Sequence, residues 1–260
     1  MLDQTRIKSA VDALLVARRT RTPLRELPPA SAPDYLDDAY VIQEQFARTR
    51  GSPVVGYKVG AASAASQKFI GASAPFIARL FADDCLPSPM SMRQRHFFDP
   101  GVEAEFAFRL GQDLPASRTP YSGRDVAASI AAVAPIIEVC DHRFADWKTV
   151  GLNQIIADNG FFGALIVGHW RSDWRDLGLI DLSVSIAVDD VVKGRGAVRD
   201  VLGDPLDSVA FVANQLSTRG LGLRAGDIVA IGTWTGLYLL KPGSSALADF
   251  GTLGAVAATA

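Results

Sequence analysis

The chain has 260 residues, 48% of them hydrophobic and 21% charged, an ordinary globular composition. Its 26 Lys and Arg against 28 Asp and Glu leave a net charge of −2, so no basic field exists to hold nucleic acid or an anionic membrane. The length allows one large domain, or a small one plus a larger one, with a sizeable core either way.

Met1 to Ala10 lacks the apolar run of a signal peptide. Ile7, Ala10, Val11, Leu14 and Leu15 fall on one face of a helix that closes on Arg18 and Arg19. Thr22 to Pro33 holds four prolines and reads as a linker. A second helix opens after Pro33 with Asp34, Asp37 and Asp38 near its positive end, and stops at Arg48-Thr-Arg50-Gly51. The pattern predicts a small helical N-terminal portion over 1–52, ahead of a larger, β-rich domain over 53–260.

Val54 to Gly60 reads as a short strand with one lysine, Lys58, among apolar residues. Such a lysine snorkels at a sheet edge, waits for an anionic ligand, or serves as a tuned acid–base group. Ala61 to Gly71 reads as loop plus short helix. The apolar run from Leu80 ends on two acids, Asp83 and Asp84, and Pro87 and Pro89 then break the chain.

Gly101 to Leu110 alternates. Val102, Ala104, Phe106 and Phe108 point one way in a strand, Glu103 and Glu105 the other. Same-face neighbours lie about 7 Å apart, so the two carboxylates repel and raise each other's pKa unless a cation sits between them. Two readings stand: a half-buried strand with a solvated acidic face, or a pair of oxygen ligands for a hard cation such as Mg²⁺ or Mn²⁺.

Arg124 to Val133 reads as a helix, Pro135 to Asp141 as a buried strand carrying Glu138, Trp147 to Asn159 as irregular, and Phe161 to Val167 as another strand. If 138–142 is extended, Glu138, Cys140 and His142 share a face; a loop histidine bonded to backbone is the other reading of His142. Cys85 and Cys140 have no CxxC or zinc spacing and suggest core thiols in a reducing compartment. The most apolar stretch, Phe161 to Gly168, is far too short to span a bilayer, and a soluble cytoplasmic protein is expected.

Asp189-Asp190 joins two strands as a hairpin. Asp204-Pro205 begins the clearest helix, with Leu206, Val209, Ala210, Ala213 and Leu216 at helical spacing and Gly220 as its stop. Four short strands follow. Many short strands and few helices predict an α+β fold with a mixed, largely antiparallel, rolled or barrel-like β domain. There is no P-loop and no GxGxxG.

Several motifs together carry a family resemblance. They are Gly56-Tyr-Lys58-Val-Gly60, Leu80-Phe-Ala-Asp83, Val102-Glu103-Ala-Glu105, Pro135-Ile-Ile-Glu138 with Asp146-Trp147 behind it, and Ala157-Asp158-Asn159. Gly232-Thr-Trp-Thr235-Gly236 and Ala248-Asp249-Phe250-Gly251 add to them. Their order and spacing resemble the 2-keto-4-pentenoate hydratase family, within the fumarylacetoacetate hydrolase-like superfamily, from about the second helix to the C-terminus. The resemblance implies a β-sandwich roll and a divalent metal, Mg²⁺ or Mn²⁺, held by Glu103, Glu105 and Glu138. It implies a lyase that adds water to a 2-hydroxy-2,4-dienoate, giving a 4-hydroxy-2-oxo acid in aromatic meta-cleavage catabolism. Lys58 and Asp83 match the family's positions for proton transfer.

Related activities on the same kind of site are 2-oxo acid decarboxylation and acylpyruvate carbon–carbon hydrolysis; a non-catalytic partner subunit is a further reading. A homo-oligomer is expected, with a sister decarboxylase or hydratase subunit as a candidate partner. Near the expected site the chain departs from the family pattern at Asp99-Pro-Gly101, at His142, where serine is common, and at Phe161 and Phe162, where small or polar residues are common.

Overall fold

A computed structural model describes residues 2–93, 97–200 and 203–260. Two helices lead. In α1 (Gln4–Thr20) the Asp3 side chain accepts from the Arg6 N–H, satisfying one of the amides a helix start leaves unpaired. In α2 (Leu36–Arg50) Asp37 and Asp38 sit in the first turn, and Gly51 ends the helix at φ 79°. Their apolar faces, with Leu14 and Phe46 among them, pack together and join one hydrophobic core with the sheets.

The β strands in chain order are β1 (Val54–Gly60), β2 (Phe76–Phe81), β3 (Cys85–Pro87), β4 (Met90–Ser91), β5 (Gly101–Leu110), β6 (Ile130–Cys140) and β7 (Phe162–Val167). They continue with β8 (Ser183–Val188), β9 (Val191–Ala197), β10 (Ile228–Ala230), β11 (Tyr238–Leu239), β12 (Ser245–Asp249) and β13 (Ala255–Thr259). An eight-stranded sheet runs β2-β1-β10-β5-β6-β7-β3, with β11 added on β5; a five-stranded sheet runs β4-β13-β12-β8-β9. The two meet where β13 lies on β6 and β7, and β8 on β5. Among the described residues β1–β10, β3–β7 and β4–β13 pair parallel and the other ladders are antiparallel, the mixed, mostly antiparallel roll expected. Asp189 and Asp190 have φ of 51° and 62°, the left-handed pair that a tight type I′ hairpin turn demands.

The remaining helices are α3 (Ala64–Ile70), α4 (Gly123–Val126), α5 (Leu152–Ala157) and α6 (Pro205–Ser217). In α6 Asp204 caps the Leu206 N–H at 2.9 Å and Pro205 takes the first turn. Two expectations are corrected. The helix expected over 124–133 stops at Val126, and β6 already begins at Ile130. The Ala-rich run 131–134 has helix propensity, but its place between β5 and β7 overrides it. The stretch 147–159, expected to be irregular, contains α5, which packs against α2. Among the described residues no helix is long and apolar enough to cross a membrane.

One glycine positions the site. Gly56 has φ of 151°, and a Cβ there would lie 1.9 Å from the Ile228 carbonyl oxygen. The close approach of β10 to β1 therefore requires glycine two residues before Lys58.

Candidate active site

Strand register collects the charged residues. Lys58 on β1 pairs with Ala230 on β10, which pairs with Ala107 on β5. Paired residues share a sheet face, so Lys58 lies on the face of Ala107, Glu105 and Glu103. Glu103 pairs directly with Glu138 on β6, and Gly101 with Cys140. Lys58, Glu103, Glu105, Glu138 and Cys140 thus face one way. Glu105 and Glu138 are each 1% exposed and Lys58 4%, so the acidic face is not solvated.

The contacts are specific. The Lys58 Nζ donates to Glu138 Oε1 as a buried ion pair. Glu105 Oε2 accepts from the Gly232 N–H at 3.0 Å. The Cys140 thiol lies 3.6 Å from Glu103 Oε2, and ligand atoms of Glu103, Glu138 and Cys140 fall within 4.8 Å of one another.

Three carboxylates face one ammonium here, and their protonation reflects it. Burial, then the charge of Glu138, pushes Glu103 up to about 7, with Lys58 opposing. Burial, then Glu138 and Glu103, raises Glu105 well above the usual carboxylate range. Burial would lower the Lys58 ammonium, but Glu138, Cys140 and Glu103 outweigh it and hold it above lysine's ordinary value. The lowering that an apolar strand alone would give Lys58 is therefore reversed by its acidic neighbours. The Cys140 thiol is raised by burial and by Glu138 and Glu103, so it stays a neutral, poor ligand. What remains is a set of carboxyl oxygen donors whose ionised form Lys58 alone does not support. That donor set fits a hard divalent cation.

These groups open into a cavity of about 490 Å³. Lys58, Glu103, Glu105, Cys140 and Gly232 line its inner end; Phe69, Ile70, His142, Trp147 and Phe161 are among its other lining residues. Gly160, at φ 61°, lets the backbone run close, since a Cβ there would meet the Phe76 ring at 2.7 Å and the Lys58 stem at 3.6 Å. His142 lines the cavity, and its Nδ1 is buried without a hydrogen-bond partner among the described residues. Phe161 lines it too, whereas Phe162 is a core residue, 1% exposed.

Asp83 is not brought to this cavity. It lies in the turn after β2, beyond the end where Val54 pairs with Phe81, whereas Lys58 pairs with Ala78. Four residues lie between Ala78 and Asp83, and the strand part alone, from Ala78 to Phe81, spans roughly 10 Å at the rise of a strand. Its N–H donates to Ser52 Oγ at 3.3 Å. The carboxylate bonded to Lys58 is Glu138, and Asp83 is not among the residues that line the cavity.

Two supports were motifs without an assigned role in the sequence. Asp158, 0% exposed, holds the buried Arg143 through Oδ1 to Nε at 2.5 Å and Oδ2 to the backbone N–H at 3.0 Å. This pins the turn that carries His142. Asn159 accepts from the Arg79 N–H at 2.9 Å and donates to the Arg79 carbonyl at 2.8 Å, fixing β2 against the start of β7. A consecutive Asp-Asn after a short apolar run was the signal available for both.

A mixed β roll with carboxylates gathered from two adjacent strands places the chain in a recognisable class, and sequence comparison agrees. Residues 64–260 match the model of the fumarylacetoacetate (FAA) hydrolase C-terminal family, and the chain belongs to that family. It is 32% identical to the 2-keto-4-pentenoate hydratase of Burkholderia vietnamiensis (strain G4 / LMG 22486), over 100% of this chain and 99% of that one. It is 30% identical to a 4-oxalocrotonate decarboxylase of Pseudomonas sp, over 80% of this chain and 78% of that one. Among solved structures, 4-oxalocrotonate decarboxylase from Pseudomonas putida G7, complexed with magnesium and adipate, superposes with a TM-score of 0.90 at 26% identity, covering 100% of this chain and 98% of that one.

Proposed function

We propose that this chain is a metal-dependent hydro-lyase that adds water to a 2-hydroxy-2,4-dienoate, giving a 4-hydroxy-2-oxo acid. The observation that carries the reading is that Glu103, Glu105 and Glu138 share one sheet face with Lys58, whose ammonium is bonded to Glu138, beside a largely apolar cavity that Lys58, Glu103 and Glu105 line. Full-length likeness to a 2-keto-4-pentenoate hydratase supports the same activity.

Glu103, Glu105 and Glu138 would hold a divalent cation, Mg²⁺ or Mn²⁺, matched to their hard oxygen donors. When bound, that cation supplies positive charge where the substrate's 2-oxygen becomes an enolate. The chain's own residues do the rest. Gly232 fixes Glu105 through one carboxylate oxygen. Lys58 stays protonated and tied to Glu138, so it serves as a fixed cation orienting the substrate carboxylate rather than as a free base. Gly160 lets the backbone lie against its stem, and Lys58 is only 4% exposed. Asp83 is not among the residues that line the cavity, and His142, which is, is the group suited to hold and move the proton of the attacking water.

The test is loss of the dienoate chromophore with appearance of the 4-hydroxy-2-oxo acid, measured with and without Mg²⁺. No turnover of any 2-hydroxydienoate by the metal-loaded protein would end the reading. A 2-oxo acid decarboxylase is the second reading, supported by likeness to 4-oxalocrotonate decarboxylases in sequence and fold. Release of carbon dioxide from a 2-oxohexenedioate distinguishes it.

We also propose a homo-oligomer, supported by exposed apolar side chains such as Tyr35, Leu239 and Val191, with a sister subunit as an alternative partner. Light scattering that finds a monomer at working concentration would refute it. Cys85 and Cys140, with no CxxC or zinc spacing, fit a reducing compartment such as the cytoplasm.

A further inference from the structure

Four rings form one wall of the cavity. Phe69 and Trp147 stand 5.3 Å apart between ring centroids, Trp147 and Phe161 5.4 Å, and Phe161 and His142 5.7 Å. The wall runs from His142, two residues past Cys140 at the carboxylate end, to Phe69, which is 58% exposed. The cavity holds about 490 Å³. A five-carbon hydroxydienoate has about eight non-hydrogen atoms and fills less than about half of that, even at the ~30 Å³ a water takes in the liquid. On the side of Trp147 and Phe161 the space left over is walled by ring carbon, while Asp99, Asp146 and Lys148 also line the cavity. Lys148 lies at this wall, but it is exposed and its Nζ sits 5.7 Å from the Trp147 ring centroid, in the position of a cation–π partner.

Resting on the hydratase reading above, we propose that the substrate carries an apolar, ring-sized substituent at its far end, a phenyl or comparable group, seated against Trp147 and Phe161. Ring centroids 4.5–7 Å apart are the favoured spacing for aromatic neighbours, so a further ring extends the stack already present. A second carboxylate in the same place would lose its hydration against ring faces that carry partial negative charge. Trp147 and Phe161 are then specificity-determining residues, acting on binding of the remote group and not on the reacting carbons.

The test pairs turnover with binding on the full-length, Mg²⁺-loaded protein. Kinetics are measured with 2-hydroxydienoates ending in hydrogen, phenyl or carboxylate. Calorimetry compares pyruvate, 2-oxo-4-phenylbutanoate and 2-oxoadipate as non-reacting probes. The expected result is kcat/KM at least about tenfold higher for the phenyl dienoate than for the unsubstituted one, and 2-oxo-4-phenylbutanoate binding at least about tenfold tighter than pyruvate. Phe161→Ala and Trp147→Ala should each raise KM for the phenyl dienoate and shrink both preferences. Equal binding of pyruvate and 2-oxo-4-phenylbutanoate, or a preference for the carboxylate-ended compounds, overturns the proposal. Absence of turnover with all three dienoates, alongside tighter binding of 2-oxo-4-phenylbutanoate, would sink the hydratase reading and leave the apolar subsite standing.

Discussion

Glu103 and Glu138 face each other as register partners across β5 and β6, and the Lys58 ammonium is bonded to Glu138. The two carboxylates are therefore not equivalent. Glu138 has a buried counter-ion; Glu103 has a neutral thiol beside it and a like charge opposite.

That asymmetry predicts opposite effects of the same substitution. Without a bound cation, Glu103→Gln removes a repelled carboxylate and should leave stability unchanged or raise it, by on the order of 1 kcal/mol. Glu138→Gln strands a buried ammonium and should cost about 3–5 kcal/mol. Both variants should bind Mn²⁺ at least about tenfold more weakly. Urea unfolding and calorimetry measure the two quantities, and a Glu103→Gln variant as unstable as Glu138→Gln would contradict the pairing.

The same cluster makes the cation-free protein sensitive to pH. Glu103 titrates near 4.5 as an ordinary glutamate and is pushed up to about 7 in the folded chain. Between those values the folded state binds more protons than the unfolded one, so stability falls as pH rises through that window. Glu105, raised in the same direction, extends the effect. Thermal midpoints without metal should therefore decline from pH 5 to pH 8, net of other groups, and added Mg²⁺ should restore most of the loss at pH 8. A midpoint that climbs over this range in Glu103's favour, when compared with Glu103→Gln, would show the carboxylate is not repelled.

Asp158 and Arg143 predict a structural effect on activity. The pair is buried and triply bonded, and it holds the turn bearing His142. Asp158→Asn should cost about 3–5 kcal/mol, because it leaves a guanidinium without its charge partner in the core. Metal affinity should change little, since Asp158 does not line the cavity. Equal loss of metal affinity and stability would mean the turn also supports the carboxylates.

Local signals made much of the fold legible. The Asp204-Pro205 cap, the Gly51 stop and the Asp189-Asp190 turn are read within a few residues, because each satisfies or redirects the backbone next to it. Glu103 and Glu105 could be read as a pair because a strand's period of two is local. The partner of Lys58 could not. It depends on β10 inserting between β1 and β5, and Lys58 and Glu138 are 80 residues apart in the chain. The short α5 was not legible because its six residues span fewer than two helical turns, too few for a repeating pattern. Asp83 followed an apolar run in the right motif, but the run ends past the far end of the β1–β2 ladder from the cavity.

Lys58 and Asp83 therefore separate cleanly in the last prediction. Lys58 is 4% exposed, bonded to Glu138, and lines the cavity beside the carboxylates. Lys58→Met keeps the length of the stem and removes the cation, so the substrate carboxylate loses its fixed partner and three carboxylates lose their one internal counter-charge. Turnover should fall on the order of 10²-fold or more. Because the ammonium also offsets the carboxylates' repulsion, the variant's cation-free form should be less stable at pH 8 than at pH 5 by more than the parent is. Asp83→Asn touches a turn outside the cavity and should leave kcat/KM within about threefold of the parent, the range of an ordinary surface change. Steady-state kinetics of the two variants at saturating Mg²⁺ decide the matter. A large loss in Asp83→Asn with Lys58→Met unaffected would return the proton-transfer role to Asp83 and remove Lys58 from the site.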